Sequence, residues 1–213
     1  MKIPISLPTG LSAKGAVFNC GRILATDGFE CGVYSVEEKC FIPTKRPYGF
    51  ISAACECGDL LATGGDCSNR VYILNADLTE TDGFTPKINA GPLLSVYPCP
   101  SGSELVLSYR NACYLSDCRG NILCTLRRAR DGGDIISCFP LCSACLHAFE
   151  DGCRDVIEYN GCSCILPECV KVKGFALSDE GTVYAFVSKG YPYSFLIPVL
   201  ENGVFSCGCI SQL

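Results

Sequence analysis

Tryptophan is absent from this 213-residue chain, and methionine and histidine occur once each. Without Trp, the chain lacks the side chain most used to stack on sugar rings, so a carbohydrate-binding reading must rest on its ten Tyr. The single His, His147, lies inside the apolar run CLHAFE. A hydrogen-bonded structural role outweighs that of a base there, and no Ser-His-Asp or Cys-His constellation is argued from it. Basic residues are also few: 17 Lys and Arg against 22 Asp and Glu give a formal charge of -5, which disfavours a general nucleic-acid binder. No apolar stretch is long enough to span a membrane. The opening MKIPISLPTG is interrupted by Pro4 and Pro8 and does not read as an export signal, and no Asn-x-Ser/Thr sequon occurs. A cytoplasmic location is therefore expected.

Cysteine, by contrast, is abundant at nineteen residues. An odd count without an export signal argues against a disulfide scaffold, and a chain of this length can bury a core without staples. In a reducing compartment these side chains behave as small apolar groups carrying a thiol.

A five-fold repeat organises the sequence. The apolar cores ILATDG, LLATGG, LVLSYR, CLHAFE and VYAFVS begin at Ile23, Leu60, Leu105, Cys145 and Val183, with spacings of 37, 45, 40 and 38 residues. Each unit holds short β-rich runs parted by turn residues, and no amphipathic helix interrupts them. The third unit reads LLSVYPC, ELVLSYR, ACYLSD and NILCTLR; the second reads ISAACEC, LLATGG, RVYILNA and GFTPKIN (83–89). Four antiparallel strands per unit at this period predict an all-β, five-bladed β-propeller. One domain over 1–213 is expected, with blades near 14–46, 49–88, 91–130, 134–168 and 172–211. Residues 1–10 would close the ring, either outside the last blade's own fourth strand, in GVFSCGCISQL, or in place of it. Seven residues before each core, allowing for a longer third turn, stand Ala16, Ala53, Ser95, Cys138 and Ala176, as crowding of inner strands at an axis requires.

In unit length and strand order the chain resembles the WD40-like repeat propellers over nearly its full extent. It lacks their Gly-His and Trp-Asp pairs, so no residue roles carry over from that superfamily, whose fold serves many functions.

Cysteines recur with the repeat. Cys20, Cys57, Cys99 and Cys142 fall at the turn between first and second strands, and Cys31, Cys67, Cys113 and Cys153 at the turn between second and third. A strand of about six residues spans roughly 20 Å, which forbids a disulfide between the two sets within one blade. Most are read as inherited core positions. The thiols with metal-ligand or redox spacing are Cys55 and Cys57, Cys142 and Cys145, Cys162 and Cys164, and Cys207 and Cys209. Such pairs would suit a soft metal such as zinc or iron, or a thiol-redox role, although CxC within a strand is also a plain one-face pattern. No cofactor is expected.

Acidic residues favour turns, where Asp before Gly suits a corner. Glu56, Asp134 and Asp179 lie nearest the inner strands and are the candidates a glycoside-processing enzyme would use. No catalytic set is assigned. The expected role is a non-catalytic binding or scaffold ring that recognises a protein on one face. The alternatives are a cysteine-rich metal or thiol-redox protein, and a lectin-like or glycoside-processing propeller with a glycan ligand. Neither nucleic acid nor membrane is expected as a partner. The partner-binding candidates are Lys45, Arg46, Arg127, Arg128 and Arg130 in the links after the first and third blades, with Tyr48, Tyr109 and Tyr191 in or beside rim loops.

Overall fold

The computed structural model describes residues 3–5, 15–19, 22–26, 31–35, 37–43, 50–53, 59–63, 68–129, 133–178, 180–190, 193–208 and 210, with backbone alone at 3–5, 15–19, 22–26, 31 and 50–53. Among these residues every regular element is a strand. The first sheet contains β2 (Gly15–Asn19), β3 (Arg22–Thr26), β4 (Cys31–Ser35) and β5 (Cys40–Pro43). The second contains β6 (Phe50–Ala53), β7 (Leu60–Thr63), β8 (Val71–Leu74) and β9 (Glu80–Phe84). The third has β10 (Ser95–Pro98), β11 (Glu104–Ser108), β12 (Ala112–Asp117) and β13 (Ile122–Arg128), and the fourth β14 (Ile135–Pro140), β15 (Cys145–Asp151), β16 (Arg154–Tyr159) and β17 (Cys162–Ile165). All four are antiparallel meanders in chain order, and each aligned core of the sequence repeat is a second strand.

The fifth sheet is built differently. It runs β18 (Lys171–Leu177), β19 (Val183–Ser188), β20 (Ser194–Glu201), with β1 (Ile3–Ile5) and β21 (Val204–Phe205) both paired to β20. β19 occupies one edge of β20 throughout, so β1 and β21 share the other edge: β1 faces Ser194–Leu196 and β21 faces Leu200–Glu201. The blade's fourth strand is thus a composite of both chain ends. Neither alternative read from the sequence holds alone, because β21 ends at Phe205 and covers only the Leu200–Glu201 end of β20. Pro4 is tolerated in β1 because an outermost strand has one edge that needs no donor.

The inner strands neighbour one another in the cycle β2, β6, β10, β14, β18 and back to β2, which makes the molecule a five-bladed β-propeller with a closed ring. Its core lies between blades. Leu61, Val71, Val96, Leu105 and Leu107 pack the second blade on the third. Leu146, Ile157, Phe175, Ala185 and Ile197 pack the fourth on the fifth. Covered on both sides, the middle strands are buried almost residue by residue, as β7 and β11 show. The second blade's outer strand lies at Glu80–Phe84 rather than in GFTPKIN. Asn75 Oδ1 accepts from Asp77 N and Thr79 N, and Leu78 adopts φ 59°, so the turn closes early and the strand starts sooner.

The five small positions read from the sequence are not equivalent in the structure: Ala53 stands opposite the first residue of its core and Ala176 opposite the second, whereas Ser95 stands opposite the fourth, and the side chains of Ala16 and Ala53 lie outside the described residues. Ser95 meets Ser137 at 3.2 Å, not Cys138, which packs between blades three and four. Beside the two serines stand large rings. Tyr97 meets Phe139 edge-on at 4.8 Å, and Phe139 lies 6.1 Å from Phe175, so three inner strands fill the centre with aromatics. The Tyr97 hydroxyl accepts from Phe175 N at 2.8 Å and Ser137 Oγ at 3.3 Å, and donates to Phe175 O at 3.3 Å. Burial pushes this phenol far above its ordinary range.

Replacing Tyr97 with Phe strands the Phe175 N–H and should lower stability by about 1–3 kcal/mol in chemical denaturation. A buried phenol whose folded-state pKa is raised stabilises fully below its unfolded value and less as pH rises beyond it. The wild type should therefore lose stability above about pH 10, and the variant should lose less over the same span. Deleting residues 1–6 uncovers the β20 edge at Ser194–Leu196; a lower thermal midpoint and concentration-dependent association by light scattering are expected.

Candidate functional site

The links between blades and the turns between second and third strands emerge on the same end of the ring, and hydrogen bonds tie them together. Ala129 N donates to Asn111 O, Ile135 N to Arg110 O, and Glu150 N to Asp134 O, each at 2.8 Å. Gly133 is needed where the third link passes: a Cβ there would collide with the Glu150 carbonyl. This packing delivers Asp134 beside Arg110, whose Nε lies 3.3 Å from its Oδ2. Both are well exposed, so the pair itself adds little stability.

Beyond Asp134 opens a cavity of about 380 Å³, lined by residues of the third, fourth and fifth blades, including Arg110, Asp134, Glu150, Asp155, Lys171 and Lys173. Lys171 is its central cation, with Nζ 2.8 Å from Asp155 Oδ1, 3.2 Å from Glu150 Oε1 and 3.3 Å from Cys153 O. Asp155 is 2% exposed, and its second oxygen accepts from Val172 N at 2.7 Å, so this buried carboxylate is both paired and hydrogen-bonded. Asp155, then Glu150, holds the Lys171 ammonium above its ordinary range.

A second cavity of about 160 Å³ adjoins the first and shares Ile135 and Glu150 with it; Arg127, Ala129, Gly133, Phe149 and Asp151 complete its wall. Arg127 leaves its own blade: its guanidinium bonds Glu158 at 2.9 Å and lies 4.6 Å from the Phe149 ring centroid. Glu158 stands opposite His147 across β15 and β16. Burial first, then the Arg127 charge, lowers His147 to about 4, and its Nδ1 is buried without a partner. The hydrogen bond expected of a structural His is not found at that nitrogen, and the ring is partly buried.

Of the partner-binding candidates, Arg128 is exposed on β13, whereas Arg127 is mostly enclosed by the ion pair just described. Tyr109 is corrected: it is fully buried, and its hydroxyl donates to Asn69 Oδ1 at 2.7 Å, so it offers no platform at the rim. Lys45, Arg46, Tyr48, Arg130 and Tyr191 lie outside the described residues, as do Glu56 and Asp179.

The thiols meet across strands and blades rather than within their sequence pairs. Cys138 contacts both Cys113 and Cys145, while Cys142 is exposed in its turn. Cys113 sits inside β12, not at the turn before it, and reaches the neighbouring blade. Cys164 bonds Cys207, and Cys162 is exposed; Cys55, Cys57 and Cys209 lie outside the described residues. The cysteines whose side chains are described are free thiols. No group of three or more His, Cys, Asp or Glu among the described residues is placed to hold a metal ion.

Lys171, Glu150 and Asp155 were not singled out by the sequence. Asp155 left one trace, an acid directly before the apolar pair Val156-Ile157 in the strand RDVIEY. Nothing local marks Lys171 as its partner, sixteen residues away.

The comparisons with known proteins agree with the fold. No family model matches the chain, and no curated protein does. Among the many solved structures that resemble it are two of the extracellular domain of BT4673 from B. thetaiotaomicron, described once as a hybrid two component system and once as a one component system. Each has 7% sequence identity and a TM-score of 0.51; they cover 86% and 92% of this chain and 27% and 29% of theirs. The chain thus spans less than a third of their length, and the likeness is one of fold alone.

Because His147 is held neutral when folded, its contribution is present above about pH 6.5 and is lost as pH falls toward about 4. His147→Gln should flatten the loss of thermal midpoint over that interval.

Proposed function

We propose that the ring is a non-catalytic binding module whose link face, across blades three to five, recognises a protein partner. The observation that supports this most is the pair of adjoining cavities joined at Ile135 and Glu150, rimmed by charges of both signs. Short stitched loops hold these groups on rigid strand ends, an arrangement suited to display more than to closure over a substrate. Exposed Arg110, Asp134 and Arg128 supply charge complementarity, and half-buried Ile136 in the wall of the larger cavity supplies apolar contact. The free thiols favour a reducing, cytoplasmic setting for this role.

Glycoside processing draws support from three carboxylates in the larger cavity. Asp155 and Glu150, however, are occupied by Lys171. Among the described residues of that cavity this leaves Asp134, ion-paired with an exposed Arg110, without a second acid free for the acid and base roles.

Partners captured by the wild-type protein should be lost from Arg110→Glu and Asp134→Lys and retained by Glu104→Lys, which lies at the opposite end of the ring. Their binding should weaken as salt is raised from 0.05 to about 0.5 M. Partners equally retained by all three variants, or glycan turnover abolished by Asp134→Asn, would overturn the reading.

A further inference from the structure

The outer edge of β20 is satisfied by different means along its length. Lys189 N donates to Tyr193 O at 2.8 Å, so the alternation of an antiparallel strand points the backbone groups of Phe195 toward β19 and those of Ser194 and Leu196 outward. Further along, Pro198 has no N–H to satisfy, Val199 O accepts from Ser206 N at 3.0 Å, and Leu200 and Glu201 pair with β21. Ser194 and Leu196 therefore depend on β1, where they meet Ile5 and Ile3. Pro4 stands opposite Phe195, a position at which β20 offers its neighbour no hydrogen bond.

The acceptor is built without help from its strand. β19 lines the other edge from Ser194 to Leu200, the side chains of Ser194 and Leu196 are buried, and Ile197 belongs to the core between blades four and five. β1 is held more lightly: it pairs with β20 alone, over three residues. Nine residues separate it from β2, whereas four and two separate β5 and β17 from the strands before them. Fully extended, the ten steps from Ile5 to Gly15 reach about 35 Å. Crossing to the fifth blade of the same ring needs about half of that, three strand spacings outward at about 4.8 Å and one blade sideways at about 10 Å. The rest is enough to reach the same edge of a ring lying alongside.

We propose that Ser194–Leu196 is a strand-acceptor site whose second occupant is β1 of another copy of this chain, so that two rings exchange these strands reciprocally. Each contact made between the rings is one already made within a ring, so register and shape need no adjustment. The two states then differ mainly by the effective concentration of a tethered strand against the concentration of free chains. Pro4 turns its donorless nitrogen away from β20, which keeps further strands from adding to the exchanged one.

The test mixes the full chain with a fluorescein-labelled peptide of residues 1–8. Ile3→Pro/Ile5→Pro keeps the full length but removes both donors of β1, which vacates the edge. This variant should bind the peptide saturably by anisotropy, at least about tenfold more tightly than the wild type, whose own strand competes at an effective concentration on the order of millimolar. The same peptide N-methylated at Ile3 and Ile5 should not bind. Exchange itself is read from a photocrosslinker, benzoylphenylalanine in place of Lys2, in light and heavy-nitrogen chains refolded together at high concentration. In the dimer fraction, on the order of half of the crosslinks to the Phe195 peptide should join a light chain to a heavy one. Excess free peptide should abolish that dimer. Should the double variant fail to fold, suppression of the wild-type dimer by peptide carries the same test. A double variant that ignores the peptide or takes the N-methylated form equally well, dimer crosslinks of a single isotope only, or a wild type still monomeric at a concentration on the order of 1 mM would each overturn the proposal.

Discussion

The phenol of Tyr97 joins three blades through one oxygen. It belongs to the third blade, accepts from a serine of the fourth and completes both backbone groups of Phe175 in the fifth. β18 pairs with β19 along one edge only, with a bulge between Val172 and Gly174, so the Phe175 amide and carbonyl on its other edge need partners inside the ring, where water would need space. The aromatic stack that carries the phenol also fills that space. Satisfying that open edge and filling the ring interior are therefore one event.

The charged face depends on that arrangement. Val172, on the near side of the same bulge, gives its N–H to Asp155, and Asp155 holds Lys171. Lys171 in turn fixes Glu150, which forms the partition between the two cavities. A line of hydrogen-bonded groups thus runs from the backbone irregularity of an inner strand to the surface. The cavity walls are accordingly rigid on the side of blades four and five, and looser at the exposed Arg110–Asp134 pair of the third link. The unpaired nitrogen of His147 fits the same economy of space: Arg127 and Glu158 bind each other, and the ring is left neutral between strands.

Much of the fold was legible because a propeller repeats one local decision five times. The second strands announced themselves as apolar runs, and turn residues marked their ends. What escaped was whatever departs from the average blade. The composite strand of blade five could not be read locally, since β1 lies nearly the whole chain away from Ser194–Leu196. The small-residue position failed at Cys138 because the turn before β11 is two residues longer than the turn before β15, not three: Pro98 stands opposite Leu105 and Pro140 opposite Cys145, so Ser137 is the equivalent of Ser95. A better signal was present: Ser95-Val-Tyr97 and Ser137-Cys-Phe139 share a small–x–aromatic pattern, the trace of the central plug. The thiol contacts were illegible for another reason. Spacing in sequence reports neighbours along a strand, whereas Cys113, Cys138, Cys145, Cys164 and Cys207 find theirs across strands and blades.

The shared outer edge of β20 also sets an order of events during synthesis. Ile3–Ile5 leaves the ribosome well before its partner Ser194–Leu196. At 5–20 residues per second, roughly 10 to 40 s separate the two. Through that interval the earlier blades have β-rich faces but no closed neighbour, and the first strand has nothing to pair with. Closure of the ring is therefore a long-range step that waits for β20, in which a strand already made must find its partner across the whole ring.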